Sequence, residues 1–162
     1  MSNNNQGWLW LIAGAFLAWH SSVPDHVSYQ GSRLLGFPTA PTKRVLEVEV
    51  ERVASIYRLP RGVFHALVRV ESGYNPNALS PVGARGIAQI MPFNHLRCGL
   101  ETPDALWDAT SNLRCGAQIL REEIDRLGNL EDALTVYNCG KVRCREGRQY
   151  ANKVLSIARA LG

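Results

Sequence analysis

From residue 43 onward, apolar positions recur at helical rather than strand spacing. Leu46, Val50, Val53 and Tyr57 fall three or four residues apart, as one face of an amphipathic helix requires, although VLEVEVE alone also alternates like a strand. Leu59-Pro60 breaks that helix. Pro60 then opens a second one, because proline is tolerated in a helix's first turn. Phe64, Leu67 and Val68 share a face of this second helix, which runs to about Ser72, where Gly73 offers a left-handed end. Ala84 to Met91 reads as a short helix cut at Pro92. Asp108 caps a long helix through Leu113, Ala117, Leu120, Ile124 and Leu127, stopped by Gly128. Asn129 starts a shorter one through Ala133, Leu134 and Tyr137 to Gly140, and a last helix carries Tyr150, Val154, Ile157 and Leu161. The pattern predicts a mainly α domain whose most irregular part is the loop of residues 74–83.

The first part of the chain is patterned differently. Residues 7–19, GWLWLIAGAFLAW, are apolar throughout, with Trp8, Trp10 and Trp19 near the two ends, as interfacial aromatics sit. A bilayer-spanning helix needs roughly 20 residues, so Gly7 to Val23 suits only a thin membrane. No Lys or Arg precedes the run, which makes a cleavable export signal a poor match. The alternative is an apolar helix packed on the domain or on a partner protein. Residues 24–42, with Pro24, Pro38 and Pro41, read as a linker. The expected organisation is therefore an N-terminal hydrophobic segment over 1–23, a linker over 24–42 and a helical domain over 43–162.

Composition allows an ordinary globular core, with 46% hydrophobic and 20% charged residues. The net charge of +4 suggests an anionic partner: a nucleic acid, a membrane surface or an acidic cell-wall polymer. No cationic run with interleaved aromatics occurs, which argues against nucleic acid. The four cysteines, Cys98, Cys115, Cys139 and Cys144, form no CxxC pair, so a zinc site is disfavoured and no metal or cofactor is expected. Four buried thiols are one reading. Two disulfides, in any of three connectivities, are the other. Cys139 and Cys144 flank a short basic loop of the kind a disulfide pins, so Cys98–Cys115 and Cys139–Cys144 are the expected pairs. Disulfides suit an oxidising compartment. The nearest cations after the apolar run, Arg33, Lys43 and Arg44, pull the other way under the positive-inside tendency.

One residue breaks the apolar pattern. Glu71 lies four residues after Leu67 and seven after Phe64, so the second helix aims an acid at the core. Desolvation raises the pKa of such a group, and the negative end of the helix dipole adds to the effect. A carboxyl still protonated near neutrality can serve as a general acid. The bland alternative is a half-exposed glutamate at a frayed helix end, neutralised by Arg69 or Arg85.

The residues around and after Glu71 carry a resemblance. Glu71-Ser72, then Ser80-Pro81-x-Gly83-Ala84, then Gly86-Ile87-Ala88-Gln89-Ile90-Met91-Pro92, and later Tyr137-Asn138-x-Gly140, resemble the motif series of lytic transglycosylases of the soluble-lytic-transglycosylase type. These are lysozyme-like enzymes that cut peptidoglycan, and the resemblance covers about residues 45–160. It implies a lysozyme-like helical domain, with peptidoglycan glycan strands as the partner. It implies that Glu71 is the single catalytic acid and base, that Ser72 orients the site, and that Gln89 binds sugar. It further implies that Gly86 lets backbone approach the glycan, and that Tyr137 and Asn138 line the cleft. Tyr150 matches an aromatic common on the last helix, although plain core is its simpler reading. Ala88 stands where the family often has Met, and Cys139 where it often has Ala.

Two other functions compete. A lysozyme-type muramidase needs a second carboxylate across the sugar, roughly 5 to 10 Å from the first. Asp104, Asp108, Glu131 and Asp132 are available, but none is marked by its surroundings. A non-catalytic wall-binding module is the other, against which a buried acid without a role counts. The expected location is the cell envelope, with the enzyme either anchored through residues 7–23 or carried in a phage virion. A wall-opening part of a secretion or conjugation apparatus is the alternative.

Overall fold

A computed structural model describes residues 42–161. Five α-helices make its frame: α1 (Lys43–Ile56), α2 (Val63–Ser72), α3 (Ala109–Leu127), α4 (Leu130–Cys139) and α5 (Arg145–Ala160). No strand forms among the described residues, so the mainly α class expected from the periodicity is the class observed. The hydrophobic segment 1–23 and nearly all of the linker 24–42 lie outside the described residues. Among the described residues no helix is long and apolar enough to cross a membrane.

Local chemistry sets most boundaries. The Asp108 carboxylate accepts from the Ser111 N–H at 2.8 Å, satisfying one of the donors that a helix start leaves open. Asn129 does the same for α4 through the Asp132 N–H. One boundary differs from the sequence reading. The second helix starts at Val63, not at Pro60. Gly62 intervenes with φ +72°, a left-handed value that no helical turn accommodates. A side chain there would also meet the Ala158 carbonyl at 3.0 Å, so the turn between α1 and α2 seats against the end of α5.

α2 lies at the centre, against α1 on one side and α5 on the other. Phe64, Leu67 and Val68 are wholly buried there, beside Val50 and Val53 of α1 and Val154 of α5. Truncating Phe64 or Leu67 to alanine would cost about 3–5 kcal/mol. α4 packs on both α3 and α5, closing the helical layer around the C-terminal end of α2.

The short helix expected over 84–91 does not form; those residues make a tight irregular loop. Arg85 and Ile90 exchange both backbone hydrogen bonds, each 2.9 Å, and close a small ring around residues 86–89. Gly86 and Gln89 both have positive φ, which interrupts any helix. Ile87, Ala88 and Ile90 are buried all the same. An apolar run signals burial before it signals conformation, and here the buried segment is a loop.

Candidate active site

Three helices hold that loop by side chains. The Ser72 hydroxyl at the end of α2 donates to the Ile87 carbonyl at 2.6 Å. The Tyr137 hydroxyl of α4 donates to the Ala88 carbonyl at 2.9 Å. Asn112 of α3, fully buried, accepts from the Ala88 N–H and donates to the carbonyls of Arg85 and Leu106, each at 2.8 Å. A loop whose polar backbone would otherwise be orphaned in the core is thereby satisfied.

Against this framework sits Glu71, in the last turn of α2 and only 6% exposed. Gly73, left-handed at φ +61°, ends the helix just beyond it. The Tyr150 hydroxyl of α5 donates to Glu71 Oε1 at 2.5 Å. Burial pushes the Glu71 carboxyl up to about 8, against the Tyr150 hydrogen bond and the positive charge of Lys153, which both pull it down. Burial and then the Glu71 charge hold the Tyr137 hydroxyl well above its ordinary range, so Tyr137 also senses the acid. The result is a carboxyl kept protonated at neutral pH, with one oxygen taken by Tyr150 and Tyr137 within reach of its charge.

Beside Tyr137 opens a cleft of about 450 Å³, walled by Met91, Phe93, Asn138, Gly140 and the Arg97–Glu123–Arg126 cluster of polar side chains. Glu71 is not among its walls, but Tyr137 is, and Tyr137 lies within electrostatic reach of the acid.

The residues singled out from the sequence fall into three groups. Glu71 and Tyr137 come together at the acid, and Asn138 lies next along the cleft. Ser72 and Gly86 serve the loop. The Ser72 hydroxyl is spent on Ile87, and a side chain at Gly86 would meet Asn112 Nδ2 at 2.4 Å and the Leu106 carbonyl at 2.7 Å. Glycine at 86 thus answers to its left-handed φ and to the close packing of Asn112 and Leu106. Gln89 is buried, its amide nitrogen donating to the carbonyls of Ala78 and Gly86. Its Oε1 is the one buried side-chain polar atom among the described residues without a partner.

Both expected cysteine pairs are present, Cys98–Cys115 and Cys139–Cys144. The first ties the segment after the loop to α3, and the second closes the turn between α4 and α5. Neither Arg69 nor Arg85 neutralises Glu71: Arg69 is exposed, and Arg85 pairs with Asp104 at 2.8 Å. Among the candidate second acids, Asp104 is thus held by Arg85 and Asp108 by its capping role. Glu131 and Asp132 sit in the first turn of α4, six and five residues before Tyr137, about 8–9 Å along the helix axis. Among the described residues no group of His, Cys, Asp or Glu could hold a metal ion.

Two residues escaped the sequence reading. Tyr150, read as plain core, is buried but holds the acid. Asn112 was not singled out, although an amide on the apolar face of α3 carries the same signal as Glu71 on α2: a polar group in the core has a partner to satisfy.

Comparison with known proteins identifies the family. The family model described as Transglycosylase SLT domain matches residues 50–158. A transglycosylase of Enterobacteria phage PRD1 is 34% identical over 102 residues, 61% of this chain and 37% of the relative. The soluble lytic murein transglycosylase of Escherichia coli K12 is 32% identical over 103 residues, 59% of this chain and 16% of the relative. The chain thus matches well under half the length of either. An inactive mutant of the lytic transglycosylase Slt from Pseudomonas aeruginosa superposes with a TM-score of 0.64 at 28% identity, over 72% of this chain and 24% of that one. With two thirds of its length matched and its helical frame shared, the chain belongs to the transglycosylase SLT domain family, of lysozyme-like fold.

Proposed function

We propose that the protein is a peptidoglycan lytic transglycosylase in which Glu71 alone supplies acid and base. The observation that carries this is the buried carboxyl with its pKa pushed up to about 8, near two tyrosines and with no carboxylate hydrogen-bonded to it among the described residues. Protonated Glu71 gives its proton to the glycosidic oxygen between N-acetylmuramic acid and N-acetylglucosamine, and the C1–O bond breaks. Tyr150 steadies the carboxylate left behind. That carboxylate then takes the proton of the muramyl C6 hydroxyl as its oxygen closes on C1. The products are a 1,6-anhydro ring and an acid restored for the next turnover. The nucleophile belongs to the substrate, so no second carboxylate is needed to activate water. Ser72, Asn112 and Tyr137 hold the loop that carries Gln89, while Asn138 lines the path of the strand.

The named relatives support the substrate, and the phage relative supports a role in opening the wall during phage entry or lysis. In that setting residues 7–23 bring the enzyme to a membrane or to a carrier protein at the cell envelope. The test is product analysis of digested wall. Strands ending in 1,6-anhydromuramic acid are expected, and reducing muramyl ends as the sole product would establish a hydrolase instead.

A further inference from the structure

The positive charge of the chain is concentrated in one place. Residues 141–159 hold six cations, Lys141, Arg143, Arg145, Arg148, Lys153 and Arg159, against one acid, Glu146, for a net +5. The whole chain has +4, so everything else sums to −1. Elsewhere five arginines are ion-paired, Arg52 with Glu49, Arg85 with Asp104, Arg121 with Asp125, and Arg97 and Arg126 with Glu123, while Arg44, Arg58, Arg61, Arg69 and Arg114 are exposed but spread over residues 44–114. Arg143, Arg145 and Arg148 are exposed, and no ion pair among the described residues engages them.

Their position makes this concentration informative. The cleft wall runs through Asn138, Cys139 and Gly140, and the basic loop begins at the next residue. Arg143 is three residues past Gly140, within about 11 Å along the chain. The Cys139–Cys144 disulfide, with Cα atoms 6.7 Å apart, folds the loop back beside that wall. Arg145, Arg148 and Arg159 then lie along the outward side of α5, whose inward side holds Tyr150 against Glu71.

We propose that this disulfide-held loop and the outer face of α5 dock the carboxylate-bearing peptides that hang from a glycan strand in the cleft. The proposal rests on reading the cleft as a peptidoglycan site and names what the strand presents beside it. Guanidinium groups pair with carboxylates through two parallel hydrogen bonds. Each exposed pair is weak, but a strand repeating its acidic peptides engages several at once. A lipid surface fits less well. Interfacial binding needs apolar side chains among the cations, and the only apolar residue of the loop besides its cysteines is the half-buried Val142.

The test uses the full chain and a variant combining Arg143→Gln, Arg145→Gln and Arg148→Gln. The substrates are glycan strands bearing peptides and the same strands stripped by an amidase. The parent should show a KM about tenfold lower on peptide-bearing strands, and added salt should erase the difference. The variant should lose that advantage while keeping its kcat and its KM on stripped strands. Equal KM values in the parent, a preference surviving in the variant, or an equal loss on stripped strands would each overturn the proposal. So would parent binding to phosphatidylglycerol vesicles with no preference between the strands, which would assign the surface to lipid. If the parent cleaves neither substrate, the catalytic reading fails, but co-sedimentation with the two kinds of strand still decides the docking. Preferential binding of peptide-bearing strands supports it, and equal binding overturns it.

Discussion

The molecule buries two glutamates and treats them in opposite ways. Glu123 of α3 is 7% exposed, and both its oxygens are taken by guanidinium groups, Arg97 on one side and Arg126 on the other. Glu71 of α2 is 6% exposed and meets a phenol. The first arrangement keeps a charge and compensates it. The second compensates only in part, through the Tyr150 hydroxyl and the Lys153 charge, so burial wins and the proton stays. Depth alone therefore says little about a buried carboxylate. What separates a structural acid from a reactive one is whether the fold supplies a cation at hydrogen-bonding distance.

The largest expected effect breaks the reactive side of this comparison. Glu71→Gln should lower wall-clearing activity by about 10³-fold or more, measured as turbidity loss of purified sacculi. The same change should stabilise the protein. In the unfolded chain Glu71 ionises near its ordinary value of 4.5, whereas in the fold it stays protonated up to about 8. Folding takes up a proton between those limits, so the parent loses stability as pH rises through that window. Glutamine removes the loss. The variant should exceed the parent by roughly 3–5 kcal/mol at pH 8, with the gap closing towards pH 4.5. Denaturant melts across that range measure it, and equal stability at pH 8 would mean that Glu71 is not held protonated.

The next prediction concerns the framework. Asn112→Ala removes three buried hydrogen bonds and opens a void beneath Gly86. A loss of about 3–5 kcal/mol is expected by chemical denaturation, against about 1 kcal/mol for Asp108→Ala at the exposed cap of the same helix. Similar costs at both positions would mean that the loop is held by its apolar side chains alone.

These two positions also show how far the sequence could be read. The caps of α3 and α4 are local, a side chain meeting a backbone N–H three residues on, so Asp108, Gly128 and Asn129 declared their roles in the chain. Glu71 was legible because an acid on an apolar stripe contradicts its neighbours. The loop of residues 84–91 was misread for a physical reason. Burial on all sides makes its side chains apolar whatever the backbone does, and helical periodicity in a run of seven or eight residues cannot separate the cases. Gly86 and Gln89 with positive φ decide the matter, and Gln89 gives no such warning by its residue type. Tyr150 was hidden for another reason. Its periodicity announced burial, but its partner lies 79 residues away, and no local pattern encodes that distance.

A smaller effect breaks the structural side of the comparison. Glu123→Gln strips the central carboxylate from Arg97 and Arg126. Arg126 is more than half exposed and Arg97 keeps Glu122, so both guanidinium groups can be satisfied again. The cost should be about 1–2 kcal/mol, below the range for stranding a fully buried charge. The pH dependence of activity should keep its alkaline limb, because nothing at Glu71 has changed. A limb that moved would show the two buried acids to be coupled.

The smallest and most diagnostic change is Tyr150→Phe. The hydrogen bond from Tyr150 favours the ionised form of Glu71, so its loss must raise the pKa of the acid above about 8. The alkaline limb of the pH–rate profile should therefore move to higher pH, by about one unit if the bond has ordinary charge-assisted strength. Activity at the optimum should fall about tenfold at the same time, since the carboxylate formed after proton donation loses its one hydrogen-bond donor on Oε1 among the described residues. A residue serving merely as packing would lower the rate without moving the limb. The paired outcome, a slower enzyme that tolerates more alkali, follows only if Tyr150 restrains the pKa of the acid. An unmoved limb would return Tyr150 to the core and leave burial and the Lys153 charge as the controls on Glu71.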